Sequence, residues 1–171
     1  MKTIIIYESV HHGNTKKLVD AIAAQYPVDV RDVSELREDL SGYDLIGFAS
    51  GIAFGKFYEE ITEVARDLMP FEKDVFFLYT AGYPVGDPAK QVKEYAALRG
   101  NRIHGAYCCR GYDTYGLLKL VGGISKNCPT EDEIKGAVDY FRVVMMECEA
   151  EKKIREAGDS GWTDKTEGEE T

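Results

Sequence analysis

The residues best suited to chemistry form a short loop near the start of the chain. The loop runs Ser9-Val10-His11-His12-Gly13-Asn14-Thr15 and follows a short apolar segment. The hydroxyls of Ser9 and Thr15 can donate hydrogen bonds. A helix that begins at the end of the loop adds unpaired N–H groups and the partial positive charge of its dipole. Together these features predict a binding site for a phosphate group.

The segments on either side of this loop predict a strand and then a helix. Residues 2–8 are β-rich and apolar in the middle, which is typical of a parallel strand buried on both faces. Residues 14–26 carry apolar side chains at helical spacing, and Pro27 ends the pattern. The loop therefore lies at a strand-to-helix junction.

The same alternation continues along the chain. Further strands are predicted at 28–33, 44–50, 75–80 and 103–109, and further helices at 57–69, 87–98 and from Thr130, which forms a capping box with Glu133. Each helix must bury its apolar stripe against a sheet face, so the pattern predicts an α/β protein with a doubly wound parallel sheet. In such sheets ligands bind outside the carboxyl ends of the strands.

Two further loops are expected at that edge of the sheet. Ser50-Gly51-Ile52-Ala53-Phe54-Gly55 follows the third predicted strand, and we interpret it as a small, flexible, uncharged turn. Thr80-Ala81-Gly82-Tyr83-Pro84 follows the fourth. Glycines allow close approach of the backbone to a ligand, and Phe54 and Tyr83 are candidate stacking partners for a flat ring.

A strand that leads into Gly13-Asn14-Thr15 at a helix start resembles the phosphate loop of the flavodoxin family. The order of elements fits that topology over residues 1–150. His11 and His12 stand where the family has hydroxyl residues before the glycine, and Ser9 lies one position further away. The resemblance implies a five-stranded parallel sheet of order 2-1-3-4-5 within a three-layer α/β/α sandwich.

The resemblance also implies a cofactor and a set of residues that contact it. The cofactor is FMN, bound non-covalently, and the function is electron transfer. The three loops that would hold FMN contribute Ser9, Val10, His11, His12, Gly13, Asn14, Thr15, Ser50, Gly51, Ile52, Ala53, Phe54, Gly55, Thr80, Ala81, Gly82 and Tyr83. Two other functions stay open: an FMN-dependent NAD(P)H:quinone-type oxidoreductase, and a binding module without cofactor on the same fold.

Composition narrows the class of partner. Hydrophobic residues make up 44% of the 171 residues and charged residues 30%, as in ordinary globular proteins. The net charge of −9 disfavours nucleic acid and favours redox partners with basic docking patches.

No apolar stretch approaches the roughly 20 residues of a membrane-spanning helix, so no membrane insertion is expected. Four cysteines without a Cys-x-x-Cys pair favour reduced thiols and a cytoplasmic location.

Competing phosphate-binding motifs fail on specific residues. The segment from Gly51 to Phe57 resembles a P-loop but is one residue short, and Phe57 stands where a hydroxyl must hold magnesium. A phospho-acceptor receiver domain needs an aspartate at the end of the third strand, where Ala49 and Ser50 stand. Neither motif accounts for this chain.

Two segments remain outside this scheme. Residues 110–128 form a connection too long for a plain turn, and we interpret its start as a packed surface loop, with the alternative that it folds over the cofactor. Residues 151–171 are acidic and poor in apolar residues, which predicts a frayed helix end and a disordered tail beyond the domain of residues 1–150.

Overall fold

The computed structural model describes residues 1–10, 12–83, 85–114, 118, 120 and 122–159. Strands and helices alternate through this part of the chain. The strands are β1 (Thr3–Glu8), β2 (Asp29–Asp32), β3 (Leu45–Ala53), β4 (Lys56–Phe57), β5 (Asp74–Ala81) and β6 (Arg102–Arg110). The helices are α1 (Asn14–Ala23), α2 (Glu59–Leu68), α3 (Lys90–Leu98) and α4 (Glu131–Asp159).

Five of the strands form one parallel sheet in the order β2-β1-β3-β5-β6. This is the predicted order 2-1-3-4-5, since the short β4 only pairs with β3 at the end of the sheet. After β1 the chain forms β2 on one side of it, and then crosses to form β3 on the other side. The carboxyl ends of β1 and β3 therefore flank a topological switch point, where open α/β sheets bind ligands.

Helices cover both faces of the sheet, which makes three layers. On one face Ile4 and Ile6 pack in a cluster with Ile61 of α2 and Val92 of α3. On the other face Ile5 packs with side chains of α1 and α4, among them Val19, Ile22, Val138 and Phe141. The continuous apolar run of β1 is thus explained by burial of both its faces, as predicted for a parallel strand.

The third predicted strand is longer than its sequence pattern indicated. β3 continues to Ala53 and turns back into the antiparallel β4, so Gly51, Ile52 and Ala53 belong to a strand and not to a flexible turn. Phe54 and Gly55 form the two-residue connection, with φ of 51° and 76°. Positive φ at both positions is the mark of a type I′ hairpin turn. The prediction missed it because Phe is an unusual residue at such a position.

The last helix begins as predicted and extends into the segment interpreted as a tail. Thr130 and Glu133 form the capping box reciprocally: the Glu133 N–H donates to Thr130 Oγ1 at 3.2 Å, and the Thr130 N–H donates to Glu133 Oε2 at 2.8 Å. α4 then runs to Asp159, into the segment 151–171 that was predicted to be a frayed helix end and a disordered tail. Residues 160–171, the rest of the predicted tail, lie outside the described residues.

The four cysteines are free thiols. Adjacent Cys108 and Cys109 lie on opposite sides of β6: the first packs against the cluster of α2 and α3, and the second against Leu18 and Ala137. This is the expected alternation along a strand. Among the described residues, no helix has the length and apolar character needed to cross a membrane.

Candidate functional site

A narrow cleft opens at the carboxyl edge of the sheet, beside the switch point. Its interior volume is about 30 Å³, enough for one to a few water molecules or a group of similar size. Four segments supply the wall: the loop after β1, the end of β3 with the residue before α2, the end of β5 and the segment after β6. The lining residues are Ser9, Val10, Asn14, Thr15, Gly51, Ile52, Tyr58, Thr80, Ala81, Gly82, Gly111, Tyr112 and Asp113.

The start of α1 faces this cleft without a cap from its own N-cap residue. Gly13 occupies the N-cap position in the left-handed conformation, with φ 64° and ψ 22°, and has no side chain that could cap the helix. A Cβ at Gly13 would meet nothing within 4 Å. The Lys16 N–H donates to Ser9 Oγ at 3.2 Å, which places that hydroxyl at the helix start. The first N–H groups of the helix and the helix dipole make this junction suited to an anion.

The side chains of Asn14 and Thr15 hold neighbouring segments in place. The Thr15 hydroxyl is fully buried and hydrogen-bonds with the Thr80 hydroxyl at 2.9 Å. Asn14 Nδ2 donates to the Tyr112 carbonyl at 2.8 Å. These bonds join α1 to β5 and to the segment after β6. Backbone N–H groups and the Ser9 hydroxyl are consequently the donors best placed for an anion at this junction.

One buried acceptor in the cleft wall has no partner. Asn14 Oδ1 is buried and makes no hydrogen bond with any described residue. Leaving a buried polar atom unpaired costs about 1–3 kcal/mol, so a partner from outside the chain would stabilise it. The atom accepts hydrogen bonds only, so it suits a hydroxyl or N–H donor next to the anion.

Large apolar side chains stand exposed around the mouth of the cleft. Phe54, at the tip of the β3–β4 hairpin, is 86% exposed, and Tyr83, after β5, is 80% exposed. Val10 is 62% exposed on the loop after β1. Three apolar side chains on three loops around one cleft form a rim against which a flat apolar ring can lie.

Nine of the predicted site residues line the cleft itself: Ser9, Val10, Asn14, Thr15, Gly51, Ile52, Thr80, Ala81 and Gly82. Gly13 forms the helix N-cap beside it, and Phe54 and Tyr83 belong to the rim. Ser50, Ala53 and Gly55 do not line it. The fully buried Ser50 instead accepts from the Tyr58 N–H at 2.9 Å and supports the wall from behind. His11 and Pro84 lie outside the described residues.

His12 connects the loop after β1 to the segment after β6. Its Nε2 hydrogen-bonds with Thr114 Oγ1 at 2.9 Å, and its ring lies 4.1 Å from that of Tyr112. With φ 56°, it adopts the left-handed conformation just before Gly13. His12 was predicted as a loop residue at the phosphate site. In the structure its side chain contacts Thr114 and Tyr112 of the segment after β6.

Four lining residues were absent from the predicted site: Tyr58, Gly111, Tyr112 and Asp113. The last three begin the 110–128 segment, which was interpreted as a packed surface loop. A Cβ on Gly111 would approach Asn14 Nδ2 to 2.8 Å, and one on Gly82 would approach Asp113 Oδ2 to 2.6 Å. Glycine is therefore required at both positions for this loop to approach the cleft. The residue types alone do not reveal that approach, since it depends on tertiary packing.

An acidic pocket adjoins the cleft and shares Ser9 and Val10 with it. Its volume is about 560 Å³, and its lining includes the carboxylates of Glu8, Asp32, Glu60 and Glu63. Burial and the neighbouring Glu60 carboxyl together raise the pKa of Glu8 to about 7. Glu8 Oε2 is buried and accepts no hydrogen bond from a described donor. This side of the cleft is thus strongly electronegative.

The raised pKa of Glu8 predicts a loss of stability with rising pH. The folded protein keeps the Glu8 proton to a higher pH than the unfolded chain does, so the free energy of unfolding falls between about pH 4.5 and pH 7. We expect Glu8→Gln, which has no proton to lose, to be more stable than the wild type by about 1 kcal/mol at pH 8, discounted for the partial exposure of Glu8. Urea unfolding at several pH values measures this.

The advantage of Glu8→Gln should shrink toward pH 5, because the wild-type carboxyl is protonated there. Glu63→Gln is the matched control, since Glu63 lines the same pocket. It removes a carboxylate from this pocket but not the Glu8 carboxyl, so stability should still fall between about pH 4.5 and pH 7. An advantage of Glu8→Gln that is constant across the range would contradict the assignment.

The fold and the site define a class: a doubly wound α/β protein with a glycine at the N-cap of the helix that begins at its switch point. Residues 4–117 match the family model described as flavodoxin domain. The chain therefore belongs to the flavodoxin domain family, and the resemblance drawn from the first loop is confirmed. A protein of Methanocaldococcus jannaschii, uncharacterized protein MJ0298, is 38% identical over 148 residues, which cover 85% of this chain and 99% of that protein.

Solved flavodoxin structures share the fold. The oxidised flavodoxin 1 of Bacillus cereus superposes with a TM-score of 0.63 at 16% identity, covering 85% of this chain and 98% of that one. The Fusobacterium nucleatum flavodoxin bound to flavin mononucleotide superposes with a TM-score of 0.61 at 14% identity, covering 86% of this chain and 99% of that one. A flavodoxin from the domain Archaea superposes with a TM-score of 0.60 at 17% identity, covering 85% of this chain and 99% of that one. At such low identity these matches establish the three-layer α/β fold.

Proposed function

We propose that this protein binds one FMN non-covalently in the cleft at the carboxyl edge of its sheet and carries electrons between redox proteins. The observation that carries the proposal is the start of α1 at the switch point, where the N-cap Gly13 has no side chain to occupy the first helix N–H groups and the Ser9 hydroxyl lies beside them. Membership of the flavodoxin domain family supports FMN as the ligand. Bound FMN supplies one- and two-electron redox chemistry.

The residues fit the chemistry of FMN in three parts. The N–H groups of α1 and Ser9 Oγ would hold the phosphate dianion, since the helix start and this hydroxyl meet at one wall of the cleft. The orphaned Asn14 Oδ1 would accept from a ribityl hydroxyl. The apolar rim of Val10, Phe54 and Tyr83 would contact the ring.

Charge supports a protein partner with a basic surface. The net charge is −9, and the acidic pocket with Glu8, Asp32, Glu60 and Glu63 lies directly beside the cleft. An electronegative patch next to a redox group speeds association with a basic docking patch at low salt. The free state of all four cysteines supports a cytoplasmic location.

Adding FMN to the purified protein tests this proposal. Binding should quench flavin fluorescence and shift and structure the visible absorption bands, with saturation at one FMN per chain. Riboflavin, which lacks the phosphate, should bind at least about 100-fold more weakly, since a charge-assisted phosphate site contributes several hydrogen bonds. Unchanged fluorescence at saturating FMN would leave a cofactor-free binding module as the function.

A second pocket supports an enzymatic alternative. It has a volume of about 640 Å³, adjoins the cleft at Gly82 and Tyr83, and is also lined by Tyr107, Cys108 and Arg110. This is large enough for a small organic substrate, and the lining also contains Glu133, which forms an ion pair with Arg110 at 3.7 Å. An FMN-dependent NAD(P)H:quinone-type oxidoreductase would use such a pocket. Steady-state NAD(P)H oxidation by the FMN-loaded protein distinguishes the two functions, because a carrier turns over only when a partner reductase is added.

A further inference from the structure

Three metal-binding side chains converge at the opposite edge of the sheet. Asp74 is the first residue of β5, His104 lies near the start of β6, and Cys148 lies on α4. The cleft lies at the carboxyl ends of the strands, whereas this cluster lies at the amino ends. Anything bound here is independent of the proposed FMN function.

The ligand atoms of the three side chains point at one another. His104 Nε2 lies 2.7 Å from Asp74 Oδ1 and 3.3 Å from Cys148 Sγ, and the three atoms all fall within 4.8 Å of one another. The side chains of His104 and Asp74 are 3% and 11% exposed, and Cys148 is 1% exposed. A single imidazole nitrogen cannot satisfy a carboxylate and a thiol equally, because it carries at most one proton or one lone pair.

We propose that Asp74, His104 and Cys148 form a binding site for one zinc ion. Cysteine sulfur, histidine nitrogen and carboxylate oxygen are the three ligand types that zinc takes in proteins. Three protein ligands leave a fourth position for water. Tetrahedral zinc with bonds of about 2.0 to 2.3 Å separates its ligand atoms by roughly 3.3 to 3.8 Å. The Asp74–His104 contact would therefore widen by less than roughly 1 Å.

The surroundings supply a second shell and a charge balance. His104 Nδ1 lies 3.1 Å from Glu147 Oε2, the carboxylate–histidine–metal arrangement that fixes the tautomer of a ligating imidazole. Burial raises the pKa of the Cys148 thiol to about 12, so zinc must displace the thiol proton to solvent as the Zn–S bond forms. One thiolate and one carboxylate then match the charge of the ion, while Glu147 and Glu151 offset the charges of Arg102 and Arg155, which also lie against Asp74. Arg102 also donates to Asp74 Oδ1 at 2.8 Å and can share this oxygen, which has two lone pairs.

Cobalt(II) titration of the chelator-treated, full-length protein tests the site, because Co²⁺ replaces zinc in such sites and is coloured. The expected result is a thiolate-to-cobalt charge-transfer band with the d–d bands of tetrahedral cobalt, saturating at one ion per chain and lost when Zn²⁺ is added. Glu147→Gln should lower the cobalt affinity about 10- to 100-fold, as second-shell changes do.

Two cysteine variants assign the thiolate. Cys148→Ser should lose the charge-transfer band, while Cys128→Ser, a buried cysteine near the other end of α4, should keep it. His104→Gln provides a second ligand variant, and circular dichroism verifies that each variant is folded. FMN affinity should be unchanged in all of them. The proposal is overturned if wild-type protein develops no charge-transfer band with Co²⁺, or if Cys148→Ser retains the band.

Discussion

Ser9→Asp is expected to weaken FMN binding about 100-fold while leaving the protein folded. Ser9 Oγ accepts from the Lys16 N–H at the start of α1, and an aspartate can make the same capping bond. Its negative charge would stand within about 5 Å of the phosphate dianion, where Coulomb repulsion costs about 1 to 3 kcal/mol per unit charge at intermediate dielectric. Fluorescence titration with FMN measures the loss.

Ser9→Asn is the matched control for this substitution. Asparagine has the size and capping ability of aspartate without the charge, so its FMN affinity should remain within a few-fold of the wild type. Riboflavin separates the phosphate effect from a disturbed cleft, because it should bind Ser9→Asp and the wild type similarly. Equal losses of FMN and riboflavin in Ser9→Asp would place the phosphate elsewhere.

Gly47→Ala is expected to destabilise the fold by about 3 kcal/mol. Gly47 lies in the middle of β3, paired with Ile5 on one side and Phe76 on the other. A Cβ at this position would lie 2.4 Å from the Phe76 ring, which is fully buried against Phe141. Overpacking of such a core site costs about 1 to 3 kcal/mol because rings and backbone must shift. Urea unfolding of both proteins measures the difference.

Two further variants separate overpacking from the general effect of replacing a glycine. Gly42→Ala is the control, since Gly42 is exposed and its nearest atom to a new Cβ is Lys2 Nζ at 4.0 Å; its effect should stay within about 0.5 kcal/mol. Adding Phe76→Leu to Gly47→Ala should cost less than the sum of the two single changes, because the smaller side chain relieves the clash. Strict additivity would contradict the explanation.

The elements predicted correctly are those in which the local residue pattern favours the same structure that packing in the fold requires. The apolar run through Ile4, Ile5 and Ile6 indicated a strand buried on both faces, and both faces are indeed covered by helices. The capping box of Thr130 and Glu133 marked the start of α4 within one residue. Gly13 marked the start of α1. In each case, the residue types that favour the local structure also serve the fold.

Features that depend on distant parts of the chain were missed. The β3–β4 hairpin places Phe54 in a left-handed conformation that its residue type disfavours, so no turn signal announced it. Tyr112 and Asp113 reach the cleft because Gly82 and Gly111 permit close contact, a property of packing rather than of either segment alone.

The proposal that FMN phosphate binds at the junction of β1 and α1 is tested most directly by phosphorus NMR of FMN with excess protein. Backbone N–H groups and the helix dipole at Gly13 favour the dianion. We therefore expect a single phosphate resonance displaced from that of free FMN, whose position does not change between pH 5 and pH 8 because the bound phosphate stays doubly charged. A resonance that follows the titration of free FMN in the presence of saturating protein would contradict the central claim.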